Sequence, residues 1–233
     1  MQKFINMIFP ARCPSCKIIV HNNGDMCATC WSKIRFISNC CDKCGYPTNF
    51  SNIQTCSMCV DEEYHFDFAK SVCVYDDNIK SLILALKYSD KTEISLVISK
   101  FIANLIKQSQ GWQNATLTVT PISRKSMIER GFNQSALIAM RIARILNIKY
   151  DPQIFAKIKH TAKQSAIYSA KERKTNLRGA IVLNKVDKTL ENIIIIDDVF
   201  TTGATFNECA KCIKSVNPSA VVSCYSFAKT IID

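Results

Sequence analysis

Two adjacent carboxylates, Asp197 and Asp198, are followed after a two-residue gap by Thr201, Thr202, Gly203, Ala204 and Thr205, and no other stretch of the 233-residue chain gathers as much usable chemistry. An acid pair of this kind can accept hydrogen bonds from sugar hydroxyls and hold a magnesium ion through water. Small hydroxyl residues beside a glycine can cradle a phosphate on free backbone N–H groups. Such groups act only if the chain holds them in place. The residues in front, 193–196, are four isoleucines. They are β-branched and apolar on both faces, and they predict a central parallel strand that ends at the acid pair. Behind the loop, 206–216 has the spacing of an amphipathic helix, and 220–227 predicts a second buried strand. Strand, acid pair, Thr/Gly loop, helix and strand make one unit of an open α/β sheet. In such sheets ligands bind at the carboxyl ends of strands, and a helix N-terminus attracts phosphate.

The string D-D-V-F-T-T-G-A-T resembles the signature with which type I phosphoribosyltransferases bind 5-phosphoribosyl 1-pyrophosphate (PRPP). The resemblance implies that Asp197 and Asp198 hold the ribose hydroxyls, as the catalytic carboxylates if the ligand is turned over. It implies that Thr201, Thr202, Gly203, Ala204 and Thr205 wrap the 5′-phosphate. The other phosphate-binding fingerprints, G-x-x-x-x-G-K-[ST] and G-x-G-x-x-G, do not occur.

Nine of the thirteen cysteines lie between residues 13 and 59 and form four C-x-x-C pairs: Cys13/Cys16, Cys27/Cys30, Cys41/Cys44 and Cys56/Cys59, with Cys40 left over. Each pair puts two thiolates on one tight knuckle, and two knuckles complete a tetrahedral four-cysteine site. Eight ligands therefore predict two structural zinc ions. Consecutive pairing gives a double zinc ribbon and interleaved pairing a cross-brace; spacing alone fits both. A disulfide framework requires an exported protein. The first ten residues carry a single lysine and an apolar patch shorter than a signal sequence needs, so a cytoplasmic protein is expected. Nor does any run approach the roughly 18 apolar residues of a membrane span. Cys73, Cys209, Cys212 and Cys224 fall in expected strands or a helix and read as small core residues.

The division expected is a zinc-ribbon module over 1–65 and an α/β domain over 66–233. The formal charge of +11 is concentrated: 124–178 holds thirteen Lys/Arg against three acids, +10, whereas 1–65 carries +1 and the remainder balances. Such a segment suits phosphates or nucleic acid. Before it come a strand over 69–75, an amphipathic helix ending in Leu86-Lys87-Tyr88, a second helix over 93–107, and a strand over 115–120 running into Pro121. A basic loop is expected next, with Arg124 and Lys125 available to a pyrophosphate and Arg130 near it. Arg130-Gly131-Phe132-Asn133-Gln134 leads into a helix over 135–146. Residues 155–178 read as a basic hood, and Lys157, Lys159, Lys163, Lys171, Arg173, Lys174 and Arg178, with Arg130 and Phe132, are the candidate nucleic-acid contacts.

Four zinc knuckles, L-K-Y, R-G-F-N-Q, the Gln164 and Arg173–Asn176–Leu177–Gly179 stretch, and D-D-V-F-T-T-G-A-T occur in the order seen in the ComF family, and the chain resembles that family over nearly its whole length. Where the family has V-P-[VI]-P before the basic loop, this chain has T-V-T-P, with Pro121 alone. The resemblance implies a type I phosphoribosyltransferase fold and a PRPP- and magnesium-binding site. It also implies a part in handling single-stranded DNA during natural transformation, beside the DNA-uptake channel and with helicase or recombination proteins. The alternative it leaves open is a catalytic phosphoribosyltransferase of nucleotide metabolism, for which no side chain presents itself as general base. Metal analysis of the purified protein is expected to return two zinc ions per chain; zero or one would overturn the cysteine assignment.

Overall fold

The computed structural model describes residues 10–22, 25–49, 55–60, 62–88, 92–158, 179–184 and 189–231. The apolar patch at the start of the chain lies outside them. So do six of the candidate nucleic-acid contacts: Lys159, Lys163, Lys171, Arg173, Lys174 and Arg178.

Two one-turn helices, α1 (Ala28–Trp31) and α2 (Ser57–Val60), belong to the cysteine-rich region. Strand β1 (Phe68–Val74) begins the α/β domain. It is followed by α3 (Asp77–Tyr88), whose first turn is capped by Asp76 Oδ1 accepting from the Ile79 amide at 3.0 Å, and by α4 (Ile94–Lys107). Then come β2 (Thr116–Val119), α5 (Arg124–Arg130), α6 (Gln134–Leu146), and the short strands β3 (Lys149–Tyr150), β4 (Phe155–Lys157) and β5 (Ile181–Leu183). The unit singled out in the sequence closes the chain as β6 (Asn192–Phe200), α7 (Ala204–Val216) and β7 (Val221–Lys229).

Five strands form a wholly parallel sheet in the order β1-β7-β6-β2-β3, so β6 is central. β4 and β5 pair antiparallel in a separate ribbon. Because side chains alternate along a strand, the isoleucine run feeds two cores. Ile194 and Ile196 pack with the stripes of α3, α4 and α6, including Leu82, Leu86, Ile98 and Ile138. Ile193 and Ile195 pack with Phe206, Cys209 and Ile213 of α7. Each fully buried side chain contributes about 1.5–3 kcal/mol, which makes this strand the axis of the domain. The result is the expected α/β class, a parallel sheet flanked by helices.

Three expectations are corrected. β6 does not end at the acid pair: Asp197 still pairs with Ser226, and the ladder continues to Phe200 opposite Lys229. Val199 and Phe200 extend it because each finds a buried or half-buried place beside β7. The expected basic loop is a helix, α5, started by Ser123 Oγ accepting from the Ser126 amide at 3.1 Å and stopped by Gly131 at φ +76°. Ala204 and Thr205 are the first turn of α7, so the loop is only three residues long.

The cysteine-rich region is joined to the sheet. Phe36 bridges antiparallel to Cys73, with Val74 N donating to Arg35 O and Ile37 N to Val72 O, so 35–37 run along the free edge of β1. The Ala69 amide donates to Lys43 O. Gly45, at φ +66°, lies so close to β1 that a Cβ there would stand 2.6 Å from Ala69 O. None of the thirteen cysteines forms a disulfide. Among the described residues no helix is long and apolar enough to cross a membrane.

Candidate functional site

Asp197 and Asp198 sit near the carboxyl end of the central strand and take different partners. Asp198 is 5 % exposed, and its Oδ2 meets Lys87 Nζ at 2.5 Å. Burial acts to raise the Asp198 carboxyl, but Lys87, together with the hydrogen bonds the carboxylate accepts, the Val199 amide's at 3.0 Å among them, holds it below the usual carboxylate value. Burial likewise acts to lower the Lys87 ammonium, yet Asp198 keeps it above the ordinary lysine value. Asp197 Oδ1 accepts from Ser135 Oγ and from the Asp198 amide, both at 2.9 Å. With no cation at bonding distance among the described residues, burial and then the neighbouring Asp198 push its carboxyl up to about 7. The pair thus divides its charge: one acid held ionised by a lysine, the other pushed toward its protonated form.

Lys87 belongs to the L-K-Y motif, but nothing in the sequence gives it a role. The structure gives all three residues of that motif a place. Leu86 is buried in the core and Lys87 reaches Asp198. The Tyr88 hydroxyl accepts from Arg130 Nη2 at 3.2 Å, its ring 5.2 Å from the guanidinium. Arg130 Nη1 also donates to Gln134 Oε1 at 3.0 Å, while its buried Nε has no hydrogen-bond acceptor among the described residues. R-G-F-N-Q is therefore a stop-and-restart turn. Gly131 ends α5 in the left-handed region, Asn133 Oδ1 caps α6 by accepting from the Ser135 and Ala136 amides, and Gln134 fixes Arg130. Phe132 is half-buried beside it. Recognising Lys87 from sequence would have required knowing that the C-terminal turn of α3 lies over β6, which apolar periodicity does not encode.

Of the other expected contacts, Arg124 and Lys125 are exposed on the first turn of α5. Two cations at a helix N-terminus oppose its dipole. Lys157 is half-buried on β4 and close enough to Asp197 for the carboxylate to act on it. Burial still pulls its ammonium below the ordinary lysine value. Gly203, at φ +76°, is the N-cap of α7, and Thr202 Oγ1 accepts from the Ala204 amide at 3.4 Å. No side chain caps α7 from Gly203, which leaves amides of its first turn to an anion.

The cysteines form two clusters, Cys13/Cys16/Cys27/Cys30 and Cys41/Cys44/Cys56/Cys59, whose sulfurs lie within 4.8 Å of one another in each. Consecutive pairing is realised and the cross-brace is not. Sγ separations of 3.5 Å (Cys16–Cys27), 3.6 Å (Cys44–Cys56) and 3.9 Å (Cys41–Cys59) match the roughly 3.8 Å edge of a tetrahedron with Zn–S bonds of about 2.3 Å. Both clusters fit structural zinc.

The double zinc ribbon domain family matches residues 4–60. The chain is 27% identical over 227 residues to the DNA utilization protein YhgH of Salmonella typhimurium, covering 95% of this chain and 98% of that one. It is 26% identical to Competence protein F of Haemophilus influenzae, over 93% and 94% of the two chains. Competence protein ComFC of Bacillus subtilis is 26% identical, over 88% and 84%. The chain is a homologue of the ComF-type competence proteins. Among solved structures this ComF-type homologue is similar to adenine phosphoribosyltransferase of Saccharomyces cerevisiae, at 15% identity and a TM-score of 0.36 over 61% of this chain and 75% of that one. So distant a likeness carries no weight for the site.

The raised Asp197 carboxyl fixes the sign of a pH effect. Its folded value exceeds its unfolded value, so its contribution is fully present below about pH 4 and is lost as pH rises through about 7. Asp197→Asn removes this term. Between pH 5 and pH 8 the unliganded wild type should lose stability relative to Asp197→Asn, on the order of a few kcal/mol, by denaturant unfolding. Parallel pH profiles would contradict the assignment.

Proposed function

We propose that this ComF-type homologue binds PRPP with Mg²⁺ at the end of β6 and handles single-stranded DNA in natural transformation. The observation that carries the first half is the acid pair itself: a half-buried Asp197 and a buried Asp198 near the carboxyl end of the central strand, the second five residues before the N-cap of a helix, with Lys87 neutralising Asp198. Burying adjacent acids is costly, since each isolated ion costs several kcal/mol to desolvate. In this reading Asp197 and Asp198 receive the ribose hydroxyls, and Thr201, Thr202, Gly203, Ala204 and Thr205 receive the 5′-phosphate. Arg124, Lys125 and Arg130 attract the pyrophosphate. Mg²⁺ would neutralise that pyrophosphate, held through water by the acid pair. Turnover would need an acceptor, and none is assigned.

The second half draws on the relatives' names, on the exposed Arg124 and Lys125, and on the lysine- and arginine-rich segment that follows. Phosphate contacts dominate single-strand binding, and aromatic rings such as Phe132 add stacking. A cytoplasmic setting, at the inner face of the membrane when the uptake channel is engaged, accords with thirteen cysteines, none in a disulfide and eight placed to hold zinc. Helicase or recombination proteins are the partners this role requires.

PRPP with Mg²⁺ should raise the melting temperature, by about 2.7 kcal/mol of added stability at a ligand concentration 100 times Kd. Asp197→Ala with Asp198→Ala should abolish the shift, and its retention would sink the site. Single-stranded DNA affinity should fall steeply with salt, the log–log slope growing by about 0.7 per phosphate neutralised. A variant with Lys157, Lys159, Lys163, Lys171, Arg173, Lys174 and Arg178 all changed to Glu that still bound DNA as the wild type does would contradict the assignment of that segment.

A further inference from the structure

The two cysteine clusters are alike in chemistry and unlike in surroundings. Beside the first, Cys16 and Cys30 line a small cavity with Met26, Ile34, Ile79 and Leu82, at the start of α3 and far along the chain from the Thr/Gly loop. In the second, Cys41, Cys44 and Cys59 are buried within the same apolar cluster as Phe66, Phe200 and Phe206. Phe200 is the last residue before the loop, and Phe206 lies in the first turn after it.

The segment leaving the second ribbon closes on the loop from behind. A Cβ on Gly203 would meet the Phe200 ring at 2.6 Å and the Tyr64 ring at 3.3 Å, so the loop is backed by aromatic carbon with no space left. The Tyr64 hydroxyl donates to Thr202 O at 3.4 Å. Tyr64 stacks on Phe66 at 4.7 Å, Phe66 meets Phe200 edge-on at 6.3 Å, and Phe200 touches Phe206 at 5.7 Å. The His65 amide donates to Asn207 Oδ1 at 2.6 Å, tying the same segment to the first turns of α7. Lys229, 2 % exposed at the end of β7, places Nζ 3.4 Å from the Phe200 ring centre. It also lies within electrostatic reach of all four cysteines of the second cluster. Zinc with four thiolates carries a net charge of −2, so Lys229 is a counter-charge shared between the metal site and the residue that opens the loop.

We propose that the second ribbon is part of the sugar-phosphate site: metal at Cys41, Cys44, Cys56 and Cys59, acting through Tyr64 and Phe66, fixes the conformation in which residues 201–205 receive a phosphate, and the first ribbon has no such role. Tyr64 is a positioning residue, since it touches the loop's rear. Metal would close the two knuckles, which meet through the Cys56 amide donating to Cys41 Sγ at 3.3 Å and through Sγ contacts of 3.6 and 3.9 Å. Removing it frees the segment that carries Tyr64, and the loop amides lose their backing. This inference rests on the PRPP-binding reading of the preceding subsection.

The test is calorimetric titration of the full chain with PRPP and Mg²⁺, with zinc content measured on every sample. Cys30→Ser should lose one zinc and bind PRPP nearly as the wild type does. Cys59→Ser should lose the other zinc and bind at least about tenfold more weakly. Tyr64→Ala should keep both zinc ions yet bind at least about tenfold more weakly, with Tyr64→Phe restoring most of the affinity because the ring does the backing. Should Cys59→Ser fail to fold, the two Tyr64 variants decide the matter. Wild-type affinity in Tyr64→Ala or in Cys59→Ser, or an equal loss in Cys30→Ser, would overturn the inference alone. A wild type that does not bind PRPP would defeat the underlying reading and this inference with it.

Discussion

Everything near the carboxyl end of the sheet is arranged around the ion pair between Lys87 and Asp198. Two carboxylates on consecutive residues of a buried strand repel one another, and the interior offers little solvent to screen them. A cation must come from elsewhere in the fold, and α3 supplies it by ending directly over β6. Losing one member of such a buried pair typically costs about 3–5 kcal/mol. The placement of α3 in turn sets Tyr88, which orients Arg130, and Arg130 is anchored by the turn that starts α6 and delivers Ser135 to Asp197. One electrostatic requirement thus links α3, the turn between α5 and α6, and β6.

Much of this architecture was legible in the sequence because its cause is local. Four β-branched apolar residues in a row leave few options besides a central strand, and all four isoleucines are buried. Paired cysteines in C-x-x-C spacing made the knuckles plain, and the two four-cysteine clusters follow. What escaped was mostly non-local. β6 runs on past the acids to Phe200 because β7 offers it partners, which no pattern within the strand reveals. Residues 124–130 read as a loop from their charge, yet Ser123 supplies a cap and Gly131 a stop that make one short helix. Lys87 is the largest miss. A helix stripe shows which residues face the core, but not which polar residue at its end meets a carboxylate 111 positions later in the chain.

The basic excess also acquires an internal division. Arg124 and Lys125 point to solvent. Arg130 and Lys157, from the same charged stretch, are half-buried; Arg130 acts on Lys87 and Lys157 is acted on by Asp197. A charge count along the chain sums these groups as one face, whereas burial separates those that can meet a polymer from those within reach of Lys87 and the acid pair. Lys229 is a third kind: a buried lysine against an aromatic ring and a thiol cluster.

The short antiparallel bridge between Phe36 and Cys73 has a consequence for how the molecule fails. β1 is an outer strand of the sheet, and a long, flat, apolar outer strand is an open template on which another chain can add itself. Residues 35–37 occupy that template. The cysteine-rich region therefore serves as a guard rail for the sheet as well as a carrier of metal. A molecule stripped of it would first become adhesive, stacking edge to edge with its neighbours while its central strands were still intact.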